Sequence, residues 1–297
     1  MKFMYTVGKI RPWLFSIITF AMLTPSLCGA TPLATVGLNG GIEAFRLKEF
    51  DGTGARLLSE TGNRYIITAF LDNGDKYDPK AQLLYHLEAS AYWGQVDYDG
   101  KSQSVDPAQS SLPLLSQTEY RGGRTEALLG YRFRSSISLR TMEVMGGVGG
   151  DSWHRRIHSA TTSNGTLVSG IEEFYKVFYG KIAFGLSNLL ASTWHSQLQF
   201  GIKLPFYISE DINLSKVGYD SDLSLSPGKT YSGFISLLLE PRSKNIKTGN
   251  PVIRIYYDGY RFDTSKAKTV TRNGSPVQVW QPETHIDTLG IQIGYRF

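Results

Sequence analysis

A single cysteine, Cys28, occurs in the 297 residues, and its place near the amino terminus excludes disulfides within the chain as a source of stability. Beyond residue 30 no apolar run approaches the roughly eighteen residues that a membrane helix needs. If the chain spans a membrane, it spans it as strands. No repeat, low-complexity tract or linker divides it, which leaves one domain over 31–297. No metal spacing, phosphate-binding glycine loop or nucleotide motif rises above chance, so no metal and no cofactor are expected. Charge of one sign is also scarce. The formal net charge is +5, but Lys2, Lys9 and Arg11 contribute three of the 31 basic residues before any acidic residue appears, which leaves 28 basic against 26 acidic. A nucleic-acid partner is therefore not expected.

Those three early charges precede an uncharged apolar stretch, Pro12 to Leu27, that ends in Cys28-Gly29-Ala30. This order predicts a secretory signal peptide over 1–30, cut before Thr31. Lipid attachment at Cys28 is the competing reading, and the bulky Leu27 stands against it, because such sites carry a small residue there.

Alternation predicts the strands. Leu83, Tyr85, Leu87, Ala89, Ala91 and Trp93 share one face, opposite Leu84, His86, Glu88, Ser90, Tyr92 and Gly94. A strand tilted by about 40° needs roughly ten residues to cross an apolar band about 25 Å tall, so this run has membrane length. The pattern returns at Thr125, Ala127, Leu129, Tyr131 and Phe133, and again at Leu198, Phe200, Ile202, Leu204 and Phe206. Weaker versions over 229–242 and 250–263, and strands at 35–47, 63–72, 136–149, 168–186 and 285–297, bring the total to about ten, with eight or twelve open. Gly146, Gly147, Gly149 and Gly150 could mark a bulge or a bend. Short connections near 73–80, 135, 187–192 and 243–249 alternate with long polar ones near 48–62, 98–116, 150–167, 209–228 and 264–284. The expected fold is all-β, a transmembrane antiparallel up-and-down barrel. A soluble periplasmic sandwich also alternates, but it does not require strands of this length.

The chain closes on Leu289, Ile291, Ile293, Tyr295 and Phe297, with Gly290, Gln292, Gly294 and Arg296 between them. This resembles the carboxy-terminal signal of bacterial outer-membrane β-barrel proteins. The resemblance implies a Gram-negative outer-membrane location, recognition of the last strand by the barrel-assembly machinery, and contact with outer-membrane lipid and lipopolysaccharide. Tyr85, Trp93, Tyr131, Tyr257 and Tyr295, near strand ends, fit interfacial girdles.

With the apolar faces on lipid, the other parity would line the interior: His86, Glu88, Arg124, Glu126, Arg132, Lys203, Arg254 and Arg296, with Gln197, Gln199 and Gln292. Both signs are present, so the bore is either an ion-paired filling or a narrow solute path. The function expected is a narrow channel or a structural, surface-interaction barrel. The alternative is an enzyme at the outer rim. Asp97 and Asp99, joined by His285 and Asp287, are its candidate acid–base set. Ten strands with acidic rim residues resemble the omptin proteases, but those carry a His–Asp pair two hairpins further on, and no histidine stands near Glu210-Asp211. An acyl hydrolase could use His86 with Ser90, or His195 with Ser196. His154, Arg155, Arg156 and His158 form a basic cluster assigned to a loop, suited to lipopolysaccharide phosphates.

Overall fold

The computed structural model describes residues 34–73, 82–101, 112–134, 141–187, 193–241 and 249–297. The leader expected over 1–30 lies outside them, as do most of the expected short connections. Ten long strands form the fold: β1 (Ala34–Phe50), β2 (Arg56–Asn73), β3 (Gln82–Lys101), β4 (Pro113–Arg134), β5 (Thr141–Ile157), β6 (Glu172–Ser187), β7 (Trp194–Ile212), β8 (Ser232–Pro241), β9 (Asn250–Asp263) and β10 (Glu283–Arg296). Each pairs antiparallel with its successor, and β10 pairs back onto β1 from Gly37↔Arg296 to Phe50↔Glu283. The ring has no free edge.

Near the end where the chain enters and leaves, the faces divide as alternation predicts. Leu38, Ile42, Ile67, Leu87, Val148, Ile182, Ile202, Ile255 and Ile291 point outward and are exposed, as part of a belt around the barrel. A soluble protein rarely exposes contiguous apolar surface beyond a few hundred Å². A continuous outer belt over a charged interior therefore excludes the soluble sandwich and matches lipid as the outer solvent.

Toward the far end the polarity of the two faces inverts. Arg46 and Lys48 on β1, Asp97 on β3, Arg121 on β4, Arg156 on β5 and Lys176 on β6 follow the apolar positions on the outer face. Inside, at the same height, are Leu47, Leu58, Val96, Tyr120, Trp153, Tyr175, Phe262 and Ile286, which form one buried core. The strands continue past the lipid belt into water, where the apolar side must turn inward. This inversion corrects several expected boundaries. The long loop at 48–62 is a turn at 51–55, where the Asp51 carboxylate accepts from the Thr53 and Ala55 amides at 2.8 and 2.9 Å. The loop at 150–167 is largely strand, because β5 runs to Ile157. The loop at 264–284 carries a hairpin, Lys268–Arg272 with Ser275–Val279, turned through Asn273 and Gly274 at φ 51° and 76°.

The expected glycine bulge is also absent, since the β4–β5 pairing is continuous through 146–150. Two of those glycines serve close approach instead: a Cβ on Gly147 would lie 2.0 Å from the Ala127 carbonyl oxygen, and one on Gly149 would meet the Tyr179 ring at 2.5 Å. The register shifts at Phe178/Tyr179, where Phe206 is the extra residue on β7, and at Glu49/Phe50.

Candidate functional site: the bore and the far rim

Charged side chains cross the bore at three heights. In the near half, Arg296 on β10 bonds Asp72 on β2 at 2.8 Å and Glu240 on β8 at 3.2 Å. Arg132 pairs with Glu143 at 2.8 Å, and Arg254 on β9 reaches Glu88 on β3 at 2.7 Å. The His86 ring lies 3.4 Å from Glu88 and 3.8 Å from Asp72. These groups surround a cavity of about 80 Å³, enough for only a few waters.

The middle layer spans the ring. Arg124 on β4 pairs with Asp151 on β5 at 3.1 Å and, across the barrel, with Asp258 on β9 at 2.8 Å. Lys203 on β7 approaches Asp258 at 2.5 Å and lies 3.6 Å from the centre of the Tyr260 ring. Tyr92 donates to Asp151 at 2.7 Å, and Tyr179 donates to Glu126, which also pairs with Lys181 at 2.5 Å. Beside them Arg64 pairs with Glu43 at 2.6 Å, its guanidinium 4.1 and 4.4 Å from the Phe45 and Tyr92 rings. Tyrosines, cations and carboxylates thus meet across the section.

The far layer lies beyond the lipid belt and is acidic. Arg155 on β5, 1% exposed, bonds Glu60 on β2 at 2.8 Å, Glu49 on β1 at 3.2 Å and Glu173 on β6 at 2.7 Å. Thr118 and Tyr120 also donate to Glu60. Glu210 on β7 accepts from Tyr175 at 2.8 Å and, at 3.0 Å, from the Gln281 amide in the orientation that also accepts from Thr284. Burial, opposed by Arg155 and reinforced by Glu173 and Glu60, pushes the Glu49 carboxyl up to about 7. Burial and then Glu173 push Glu210 well above the usual carboxylate range.

The structure places the residues singled out in the sequence as follows. His86, Glu88, Arg124, Glu126, Arg132, Lys203, Arg254 and Arg296 all lie on the interior parity; all but His86 carry ion pairs, and the His86 ring faces Asp72 and Glu88. Leu289, Ile291, Ile293, Tyr295 and Phe297 point outward.

The four rim candidates do not converge. Asp97 and Asp99 face outward from β3, and Asp99 pairs with Arg56 at 3.1 Å. His285 and Asp287 face outward from β10, with β1 and β2 intervening. His285 bonds Glu283 at 2.8 Å, while Asp287 is held by Arg261 at 2.6 Å, Arg46 at 2.9 Å and Tyr257 at 2.7 Å. Partial burial opposes these hydrogen bonds, which nonetheless hold the Asp287 carboxyl down at about 2. A carboxylate so held makes a poor base.

His86 and Ser90 lie inside, not on the lipid face, and Ser90 shares a hydrogen bond with Thr68 at 2.9 Å. His195 and Ser196 are buried. The basic cluster separates, because Arg155 points inward while His154 and Arg156 point outward. Glu49, Glu60, Glu173, Glu210 and Asp258 were not anticipated. Extending the β5 alternation from Glu143 and Met145 through Asp151 and Trp153 would have put Arg155 inside.

No family model matches the chain, and no curated relative matches it in sequence. Among solved structures, the outer-membrane protease OmpT of Escherichia coli superposes with a TM-score of 0.61 at 8% identity, covering 92% of this chain and 98% of that one. The translocator domain of the autotransporter NalP of Neisseria meningitidis matches at 11% identity over 95% and 93% of the two chains, with a TM-score of 0.40. With its ring of ten antiparallel strands, apolar outside and charged within, the chain has the fold of the bacterial outer-membrane β-barrels.

Proposed function

We propose that this protein resides in the outer membrane as a closed barrel, and that its work is done on the surface it raises above the outer leaflet rather than through its bore. The observation that carries this reading is the transverse layer Arg124–Asp258–Lys203, with Asp151, Tyr92, Tyr179 and Tyr260 packed around it. A solute path would need a water column where these side chains meet. The far end is then extracellular, as even-stranded barrels with both termini in the periplasm require. Its outer wall alternates Arg46, Lys48, Arg121, Arg156 and Lys176 with Asp97, Asp99, Glu119, Glu172 and Asp211, immediately above the lipid belt. Lipopolysaccharide head groups and surface partners would meet this wall, and the assembly machinery would take the outward-facing strand that ends in Phe297.

Thiol mapping tests the arrangement, because the chain has no cysteine after residue 28. In intact cells a membrane-impermeant maleimide should label Asp97→Cys and Lys48→Cys but not Ile291→Cys. Protection of the first two, with the barrel folded, would overturn the proposed surface.

A further inference from the structure

We propose that the extracellular mouth of the barrel is latched by protons held on Glu49 and Glu210 beside the Glu60–Arg155–Glu173 cluster, and that it loosens as the pH rises. The geometry poses a charge problem. Four carboxyl groups converge at one height, and among the described residues Arg155 is the one cation facing them from inside. The remaining neighbours are neutral: Tyr98 from β3, Thr118 and Tyr120 from β4, Tyr175 from β6, and Gln281 and Thr284 before and on β10. Fully ionised, the layer would hold three uncompensated negative charges, with Glu60 and Glu210 both at 0% exposure. Taking such charges out of water without counter-charge is prohibitively costly, so protons must replace the missing cations.

Position turns this charge problem into a latch. The glutamates on β1 and β2 stand opposite those on β6 and β7 across the ring, and Arg155 spans the gap to Glu49, Glu60 and Glu173. With Glu49 and Glu210 protonated, the Arg155 bonds to Glu49, Glu60 and Glu173 hold the two walls together. Loss of those protons sets like charges against each other across the bore and draws water into the layer. The walls here are strand extensions above the lipid belt, so they can part without breaking the transmembrane ring below. The raised Glu49 and Glu210 carboxyls place the change near and above neutrality.

A reporter is built in. The Trp153 ring stacks on Tyr175 at 4.8 Å, and Tyr175 donates to Glu210. In mature protein carrying Trp93→Phe, Trp194→Phe and Trp280→Phe, Trp153 is the sole tryptophan after residue 30. Acrylamide quenching of Trp153 should rise at least twofold, reversibly, between pH 5.5 and pH 9, while heat-modifiable migration stays that of a folded barrel. Adding Glu49→Gln and Glu210→Gln should flatten the profile. A flat profile in the parent protein, or an equal rise in the Gln variant, would overturn the latch. Should the Gln variant fail to fold, hydrogen exchange in the parent decides: faster exchange at pH 9 than intrinsic rates explain, over 45–50 and 207–212 but not over 64–70, supports the latch, and uniform behaviour refutes it.

Discussion

Replacing Arg124 by Met should be among the most damaging single changes in the bore, and the structure says where the cost falls. Beside the Lys181–Glu126 and Arg64–Glu43 pairs, the layer sets two cations, Arg124 and Lys203, against two carboxylates, Asp151 and Asp258. Without Arg124, Asp258 keeps Lys203, but Asp151 retains only the hydroxyls of Tyr92 at 2.7 Å and Tyr260 at 3.2 Å. One buried carboxylate is then left without a cation, a situation that costs about 3–5 kcal/mol. Met fills most of the aliphatic volume, so little of that cost is cavity. Adding Asp151→Asn removes the stranded charge while keeping an acceptor for the tyrosines. The double variant should therefore recover about 2 kcal/mol relative to Arg124→Met alone. Equilibrium urea unfolding in phospholipid vesicles, followed by tryptophan fluorescence, measures both. A loss below about 1 kcal/mol for the single variant, or a double variant as unstable as the sum of the two singles, would refute the assigned pairing.

Leu129→Arg puts a charge on the lipid belt at a position 65% exposed to the bilayer; it should cost about 2–4 kcal/mol and lower the heat-modifiable fraction. Glu88→Gln keeps shape but leaves Arg254 without its carboxylate, so urea unfolding should show a loss of about 1–3 kcal/mol rather than neutrality. Deleting Phe297 should sharply reduce assembled barrel on gels, and unchanged assembly would remove the role proposed for this terminus. Stability should also depend on pH through Glu49. Its folded carboxyl is raised from 4.5 to about 7, so its contribution is complete below about 4.5 and is lost as the pH rises through 7. At about 1.4 kcal/mol per unit the full contribution is on the order of 3 kcal/mol, of which about 2 kcal/mol is lost between pH 5.5 and pH 9, read as a lower urea midpoint at pH 9 that Glu49→Gln removes.

The transmembrane half was legible because one solvent rule governs it. Lipid demands apolar residues at every second position, so Leu83 to Trp93 and Leu289 to Phe297 announce both strand and face. The extramembranous half obeys the opposite rule on the same strands. Along β1, Ile42 points to lipid, whereas Arg46 and Lys48, on the same parity, point to water while Leu47 and Glu49 turn inward. A window that straddles this inversion averages to no pattern, and 48–62 and 150–167 therefore read as loops. The same inversion concealed Arg155, Glu49 and Glu60, since a residue placed in a loop has no parity, while Glu173 lay in the expected strand 168–186 without an assigned face. It also made Asp97, Asp99, His285 and Asp287 resemble a site: they sit at one height, but outward on a convex wall, where side chains diverge. The residues from His86 to Arg254 sit on the interior parity because they alternate with lipid-facing neighbours. Their partners across the ring depend on closure, which no local window contains.

Ion conductance of the purified, folded barrel in a planar bilayer is the most direct test of the closed bore. With the Arg124–Asp258–Lys203 layer intact, the protein should insert without stepwise current at neutral pH and either polarity. Reproducible unitary steps that persist at neutral pH would mean that a continuous water path passes the layer, and would contradict the account.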